Sequence, residues 1–433
     1  MILEHGPRRR EKANLSLALA VAIRNDETDA ALVLLDAGAD SNTQYRMYGD
    51  PFVKALERRN KRAVDAMLEC DVDFKSEDSY MTGNSPLEVA GAWCDLDVIE
   101  DMMRLGANID AGFQMTGLGA AVKSRNKVLI HRLLALGANP GATPFGADGV
   151  TPLRAAVEAS DYETARFLIS KGASPADDSA FAYAMSQDPV GYEFLLSEFG
   201  SRYPQGLKGF GGYLLDKAIE LDSRTLIDSL LSVGADLNSW CSLHKFRHVG
   251  RYQNTNRNRY RVLNSAIEHS QGRDHELVRK LLDRGAESNC IVNEYGVGPD
   301  CIFETPLLLA IKTKSRKLVS LILDHVAEVN RPARRGVKRT PLKAACETGI
   351  YSLVELLVRK GARVNGAAAE RGGGTALQMA AKTGSLKIVK LLLDNGADPY
   401  LPKSKVEGRT AFEAAAQSGC IVASHGNLPV VVV

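Results

Sequence analysis

The sequence predicts an all-α solenoid of about eleven complete helix-turn-helix-hairpin units with a partial unit at each end. Two recurring markers, and the fixed distance between them, carry the prediction. The first closes a leucine-rich run, as in "LLDAGADSN" at Gly38, "LLALGANPG" at Gly137, "LLSVGADLN" at Gly234 and "LLLDNGADPY" at Gly396. Twelve copies can be placed from Gly6 onward, and ten carry glycine; Asp71 and Val326 are the exceptions. Apart from two long gaps they recur at a period near 33 residues. The second marker is "TPLRAA" at Thr151, "TPLLLA" at Thr305 and "TPLKAA" at Thr340, with variants at Asp50, Ser85, Thr375 and Thr410. From 50 to 71, 85 to 106, 151 to 172, 305 to 326, 340 to 361 and 375 to 396 the separation is 21 every time.

Each marker has a physical meaning. Thr, Ser or Asp before proline is a helix N-cap with proline at the first helical position, where no donor is lost. The "LxxA" that follows sets a large and a small apolar residue on one face of a first helix. A second apolar run such as "LKIVKLLLDNG" is an amphipathic helix. Glycine supplies its left-handed C-cap. The residues left before the next cap form a turn or hairpin. Such a unit is too thin to bury its own face, so stacked copies bury it jointly.

On these residues the chain resembles the ankyrin repeat family over nearly its whole length. The "TPLxxA" boxes at Thr151, Thr305 and Thr340 and the "LLLxxGADxN"-like ends at Gly38, Gly234 and Gly396 carry the resemblance. It implies a binding scaffold whose hairpin tips and concave inner-helix face contact other proteins. One departure is consistent: the family's usual histidine after "TPL" is replaced by Arg154, Leu308 and Lys343. The resemblance implies the loss of a Thr–His hydrogen bond there.

Units begin near Leu17, Asp50, Ser85, Thr116, Thr151, Ser179, Tyr213, Arg261, Thr305, Thr340 and Thr375. The unit at Arg261 takes 24 residues to reach Gly285, which predicts an inner turn near Gly272 longer by three. Residues 1–16 read as the tail of a partial repeat, 17–238 as the N-terminal half and 239–260 as a basic aromatic insertion. The C-terminal half spans 261–409 with an enlarged hairpin at 290–304, and 410–433 is an incomplete last repeat with an apolar tail. In that tail Gly426 and Pro429 stand where a second helix would run. The "VVVV" end, left uncovered, would be an adhesive strand.

Composition excludes several classes. At 45% hydrophobic and 24% charged, with net charge +2, the whole chain has no bulk attraction for nucleic acid or acidic membrane. Seven scattered cysteines without a C-x-x-C pair argue for a reducing compartment, so an intracellular location, cytoplasmic or nuclear, is expected. No apolar run reaches the roughly 20 residues that span a bilayer. "PRRREK" from Pro7, followed by "ANLSLALAVAI", also matches a signal-peptide pattern or a short nuclear-import patch. The repeat register assigns the same residues to a hairpin and a helix.

No enzyme signature is present: there is no P-loop, G-x-G-x-x-G after a strand, H-E-x-x-H or G-x-S-x-G. No cofactor is expected. Recognition is therefore sought where the array departs from its register. Marker-to-cap distances are 14 from Gly137, Val326 and Gly361 and 12 from Gly38, against 27 from Gly234 to Arg261, 20 from Gly285 to Thr305 and 7 from Gly172 to Ser179. Two consecutive long fingers beside a notch define the candidate edge. Between Leu237 and Ile267 there is no acidic residue, while Lys245, Arg247, Arg251, Arg257, Arg259 and Arg261 give +6. Trp240, Phe246, Tyr252 and Tyr260 are interleaved; Tyr295 and Phe303 lie in the second finger.

Arginine and aromatics are enriched at protein hot spots and also suit single-stranded nucleic acid. Three readings follow: a scaffold for a protein partner with an acidic segment, a nucleic-acid grip at 239–261, or a regulatory module of a longer enzyme. Neither a membrane nor a small-molecule substrate is expected as partner. Cys241, His244 and His248, completed by Cys290 or Cys301, have zinc-ligand chemistry, but the spacing matches no common module and two loops would have to meet. No metal is expected.

Overall fold

The computed structural model describes residues 9–42, 49–70, 72, 74, 85–93, 96–146, 149–239, 241, 261–271, 273–293, 303–332, 339–367, 374–402, 409–418, 421–425 and 428–432. Among them are 23 helices and four short strands, and the chain divides into two units, Met1–Pro204 and Gln205–Val433.

In unit 1 the helices pack in successive pairs: α1 (Arg9–Arg24) with α2 (Thr28–Asp36), α3 (Pro51–Glu57) with α4 (Lys61–Glu69), and α5 (Pro86–Trp93) with α6 (Leu96–Arg104). Then come α7 (Gly117–Lys123) with α8 (Lys127–Ala135), α9 (Pro152–Glu158) with α10 (Tyr162–Ser170), and α11 (Asp178–Gln187) with α12 (Pro189–Arg202). Unit 2 continues with α13 (Gly212–Glu220) and α14 (Arg224–Ser232), then α15 (Val262–His269) and α16 (His275–Asp283). The strands β1 (Val292–Asn293) and β2 (Phe303–Glu304) follow. Next are α17 (Pro306–Lys312) with α18 (Arg316–Asp324), α19 (Pro341–Thr348) with α20 (Tyr351–Arg359), and α21 (Ala376–Lys382) with α22 (Leu386–Asp394). Helix α23 (Ala411–Gln417) and the strands β3 (Ile421–His425) and β4 (Leu428–Val432) end the unit.

The predicted caps close as their chemistry requires. Thr151, Thr305 and Thr340 each accept the backbone N–H three residues on, with proline at the first helical position. Asp188 does the same for Gly191 at the start of α12. Thr375 and Thr410 build full capping boxes with Gln378 and Glu413. Inner helices lie against their neighbours because each carries a fully buried alanine, such as Ala55, Ala156, Ala266, Ala310, Ala345 and Ala380. Leucine, isoleucine and valine from both helices of a pair fill the space behind.

Glycine at the C-terminal marker has positive φ at Gly38, Gly106, Gly137, Gly172, Gly234, Gly285, Gly361 and Gly396. Val326 holds the same position at φ 65, a conformation that a β-branched side chain adopts only under strain. Gly200 departs from the marker reading: it lies inside α12, which runs on to Arg202 and is capped by Tyr203.

The register needs correction elsewhere. Helix α1 begins at Arg9, eight residues before the expected start at Leu17, so most of the "PRRREK" stretch is helical rather than hairpin. The three extra residues of the Arg261 unit divide between helix and turn: α15 has eight residues against seven in α17, and two more lie before α16. The apolar tail folds on itself. Strands β3 and β4 pair antiparallel, Ile421 opposite Val432 and His425 opposite Leu428, and β3 packs on α23.

Side chains bind one repeat to the next in two rows. In the first, an asparagine four residues after the C-terminal marker reaches forward to the following turn. In unit 2, the amides of Asn238, Asn289, Asn330 and Asn365 donate to the carbonyls of Gly285, Val326, Gly361 and Gly396 at 2.8–3.0 Å. Their oxygens accept the N–H of Glu287, Glu328, Arg363 and Asp398 at 2.7–2.9 Å.

The second row explains the missing histidine. Its position is filled by polar side chains that reach the next connecting segment, 23 to 27 residues ahead. Glu88 accepts backbone N–H groups of residues 113–115, and Arg154 donates to Ser179 Oγ at 3.2 Å. Asn264 Oδ1 accepts from Cys290 Sγ at 3.1 Å, Lys343 Nζ donates to the Ala367 carbonyl, and Gln378 Nε2 donates to the Leu401 carbonyl at 3.1 Å. The expected loss of a local hydrogen bond is thus offset by bonds between repeats, though Leu308 makes none of this kind.

Two substitutions test these roles. Val326→Gly relieves the left-handed valine, which is 83% exposed, and should stabilise by about 1–2 kcal/mol in urea unfolding. Asn330→Ala removes two inter-repeat bonds and should cost about 1–3 kcal/mol, with the Arg363 amide losing hydrogen-exchange protection.

Candidate partner-binding edge

The segments that join one helix pair to the next are held in order by the asparagine row. Among the described residues the roots of both long fingers are therefore fixed, and the roots converge. Cys241 opens the first finger and Arg261 closes it at the N-cap of α15. Burial raises the Cys241 thiol well above its ordinary range; Asp216 and Cys290 push it further up, and Arg261 pulls it down. These groups share one polar cluster. Asp216 accepts from Ser265 Oγ, and its own carboxyl is raised by burial.

The second finger is closed by an antiparallel ladder, Val292 opposite Glu304 and Asn293 opposite Phe303. Glu304, buried at its root, holds Lys312 at 2.6 Å. On the far side, Arg331 Nη1 donates to the Asn289 carbonyl at 3.0 Å. The notch also has a local cause: Asp177 caps α11 through Ser179 and Ala180, and accepts from Thr151 Oγ1 at 2.5 Å, five residues after Gly172. No length remains for a finger.

The residues singled out for recognition lie outside the described ones: Trp240, Lys245, Phe246, Arg247, Arg251, Tyr252, Arg257, Arg259, Tyr260 and Tyr295. Of Phe303 only the backbone pairing is described. The zinc reading is in the same position for His244, His248 and Cys301. The two loops it required do approach at their roots through Cys241 and Cys290. Burial raises both thiols, Cys290 to about 12. Among the described residues no group of three ligand side chains is arranged to hold a metal ion.

Sequence reasoning missed the buried row that anchors this edge: Asn264 at 0% exposure, Lys343 at 2% and Gln378 at 2%. The signal was present, because a polar residue recurs in the third helical position of helices otherwise apolar on that face. Lys343 is the extreme case: burial, with the nearby Arg339 guanidinium, lowers its pKa to about 8.

Successive helix pairs, capped by Thr-Pro and closed by left-handed glycine, define a helical repeat protein. Family models agree on the kind. A model of three ankyrin repeats matches residues 263–368 and again 366–424, and a single-repeat model matches residues 148–179. The chain carries ankyrin repeats in both units, and such repeats are in general protein–protein interaction modules without catalysis. No curated protein matches the chain. Among the described residues no helix is long and apolar enough to cross a membrane.

The lysine gives a pH test. An amine with pKa about 8 folded and near 10.5 unfolded makes the unfolded chain bind more protons between those values. Stability should therefore rise with pH across that window, and Lys343→Met should flatten the rise in urea midpoints measured from pH 7.5 to 10.

Proposed function

We propose that the chain is a noncovalent scaffold or adaptor that binds a partner protein through its connecting segments and concave inner-helix face, with no catalysis of its own. The observation that carries this reading is the finger at 239–261. It offers six cations and four aromatics with no acid from Leu237 to Ile267, and it stands on a root fixed by neighbouring repeats. Loops presented by a rigid scaffold carry specificity. Long arginine side chains beside aromatic rings form hot spots when an acidic segment desolvates them. The residues assigned to contact are Trp240, Lys245, Phe246, Arg247, Arg251, Tyr252, Arg257, Arg259 and Tyr260, with Tyr295 and Phe303 from the second finger. A reducing, intracellular setting fits the scattered cysteines.

Nucleic acid is the second reading, because the same run offers rings for stacking and cations for phosphates. The two differ in salt dependence: several phosphate contacts make affinity fall steeply between low and physiological salt.

The expected outcome is concrete. Cys241 and Arg261 are close, so residues 242–260 can be replaced by a short Gly-Ser linker without disturbing α15. Affinity purification with the intact chain should recover partners that the linker variant does not. Identical partner sets would reject the finger, and a low-salt gel shift abolished in the variant would favour nucleic acid.

A further inference from the structure

Two ion pairs occupy equivalent places at the ends of the outer helices of unit 2. In each, the residue just before the C-terminal marker meets the carboxylate two places before the preceding marker. Lys360 Nζ donates to Asp324 Oδ1 at 2.7 Å, and His325 Nε2 stands 2.9 Å from Asp283 Oδ1. Lysine keeps its charge throughout the neutral range, whereas histidine changes its charge there. The other ring nitrogen of His325, Nδ1, lies 2.8 Å from the Leu321 carbonyl in the last turn of α18. A carbonyl and a carboxylate only accept, so both ring nitrogens must donate, and only the imidazolium carries two N–H groups. On losing a proton the ring keeps one bond and turns a lone pair toward the other acceptor. His325 is also the C-cap of α18, where a cation is favoured by the helix dipole.

The ring sits at the turn from which the second finger is anchored. Ser288 Oγ donates to the His325 carbonyl at 2.9 Å, and Asn289 Nδ2 donates to the Val326 carbonyl at 2.9 Å. Asn289 Oδ1 accepts the Glu328 amide at 2.8 Å. Val326 holds φ 65 in this turn, a strain that Gly285 and Gly361 avoid at their own markers.

We infer that His325 is a proton-operated latch: charged, it locks the end of α18 to the end of α16 and steadies the root of the second finger; neutral, it releases that contact. The charged groups on the adjoining helix ends are Asp283 and Arg284 at α16, Asp324 beside the ring, and Lys360 at α20. Glu287 and Glu328 follow in the turns, Glu328 facing Arg331 at 3.6 Å. The Leu321 carbonyl, and after it Asp283, raise the ring pKa above 6.5, with Asp324 adding to the effect and partial burial opposing it. Such a group contributes stability that is fully present below pH 6.5 and is lost as pH rises through the higher folded value. The effect is opposite in sign to that of Lys343 and falls at lower pH. The latch belongs to the fold, so it stands or falls apart from the partner reading above.

Two readouts on the full chain test it. NMR titration of the ring nitrogens should place the His325 pKa above 6.5, with both nitrogens protonated below it. Hydrogen exchange at the Glu328 amide, corrected for the intrinsic pH dependence of exchange, should lose about two- to fivefold of its protection between pH 5.5 and 7.5. His325→Lys, which copies the Lys360 pair, should keep that protection level across the range. If that variant only damages the fold, protection drops at every pH and Asp283→Asn decides. Asp283→Asn should bring the ring pKa down and flatten the profile. A ring that titrates at or below 6.5, a native profile without the fall, or a fall that persists in Asp283→Asn or in a folded His325→Lys overturns the latch.

Discussion

Coupling between adjacent repeats is the constraint on which the rest depends. A single helix pair buries one face and leaves the other wet, so it has no reason to hold its shape alone. The interfaces between pairs supply that reason in two ways: alanine-floored packing of inner helices, and side chains that bond to the backbone of the next segment. The asparagine row satisfies a carbonyl at the end of a helix, where intrahelical donors run out, and an amide of the turn just beyond it. It also fixes the level at which each connecting segment leaves the stack. Recognition loops inherit their spacing from these bonds.

Much of this was legible because the local chemistry is strict. Thr-Pro caps, left-handed glycines and a constant 21-residue lock identify helix pairs without any knowledge of packing. What escaped were features decided by tertiary contact. The start of α1 at Arg9 follows from good helix formers that no cap residue announces. Gly200 matches the marker in sequence, yet α12 continues through it. The replacement of histidine by Arg154 and Lys343 looked like a loss, because the atoms they bond belong to a segment two dozen residues away. The candidate site was legible only as composition: its position between repeats could be read, but not what its roots bury.

The fold separates stability from recognition. Groups that anchor the edge are buried and uncharged where it matters: Asn264 with the Cys290 thiol, Gln378 with a carbonyl, Thr and Ser at caps. The cationic and aromatic residues proposed for contact belong by sequence to the segments between pairs. Glu88, Arg154 and Lys343 are exceptions, since they serve the anchoring row with groups that are ordinarily charged. That division lets one class of residue change without disturbing the other.

The asparagine row has a further consequence. Its four two-way bonds follow one another from Asn238 to Asp398 in unit 2, and in unit 1 Asp110 accepts from the Asn139 amide at the matching position. Neighbour terms set how far a disturbance spreads in a linear array. A disturbance in one turn of unit 2 is therefore passed to the next turn through side chain and backbone together.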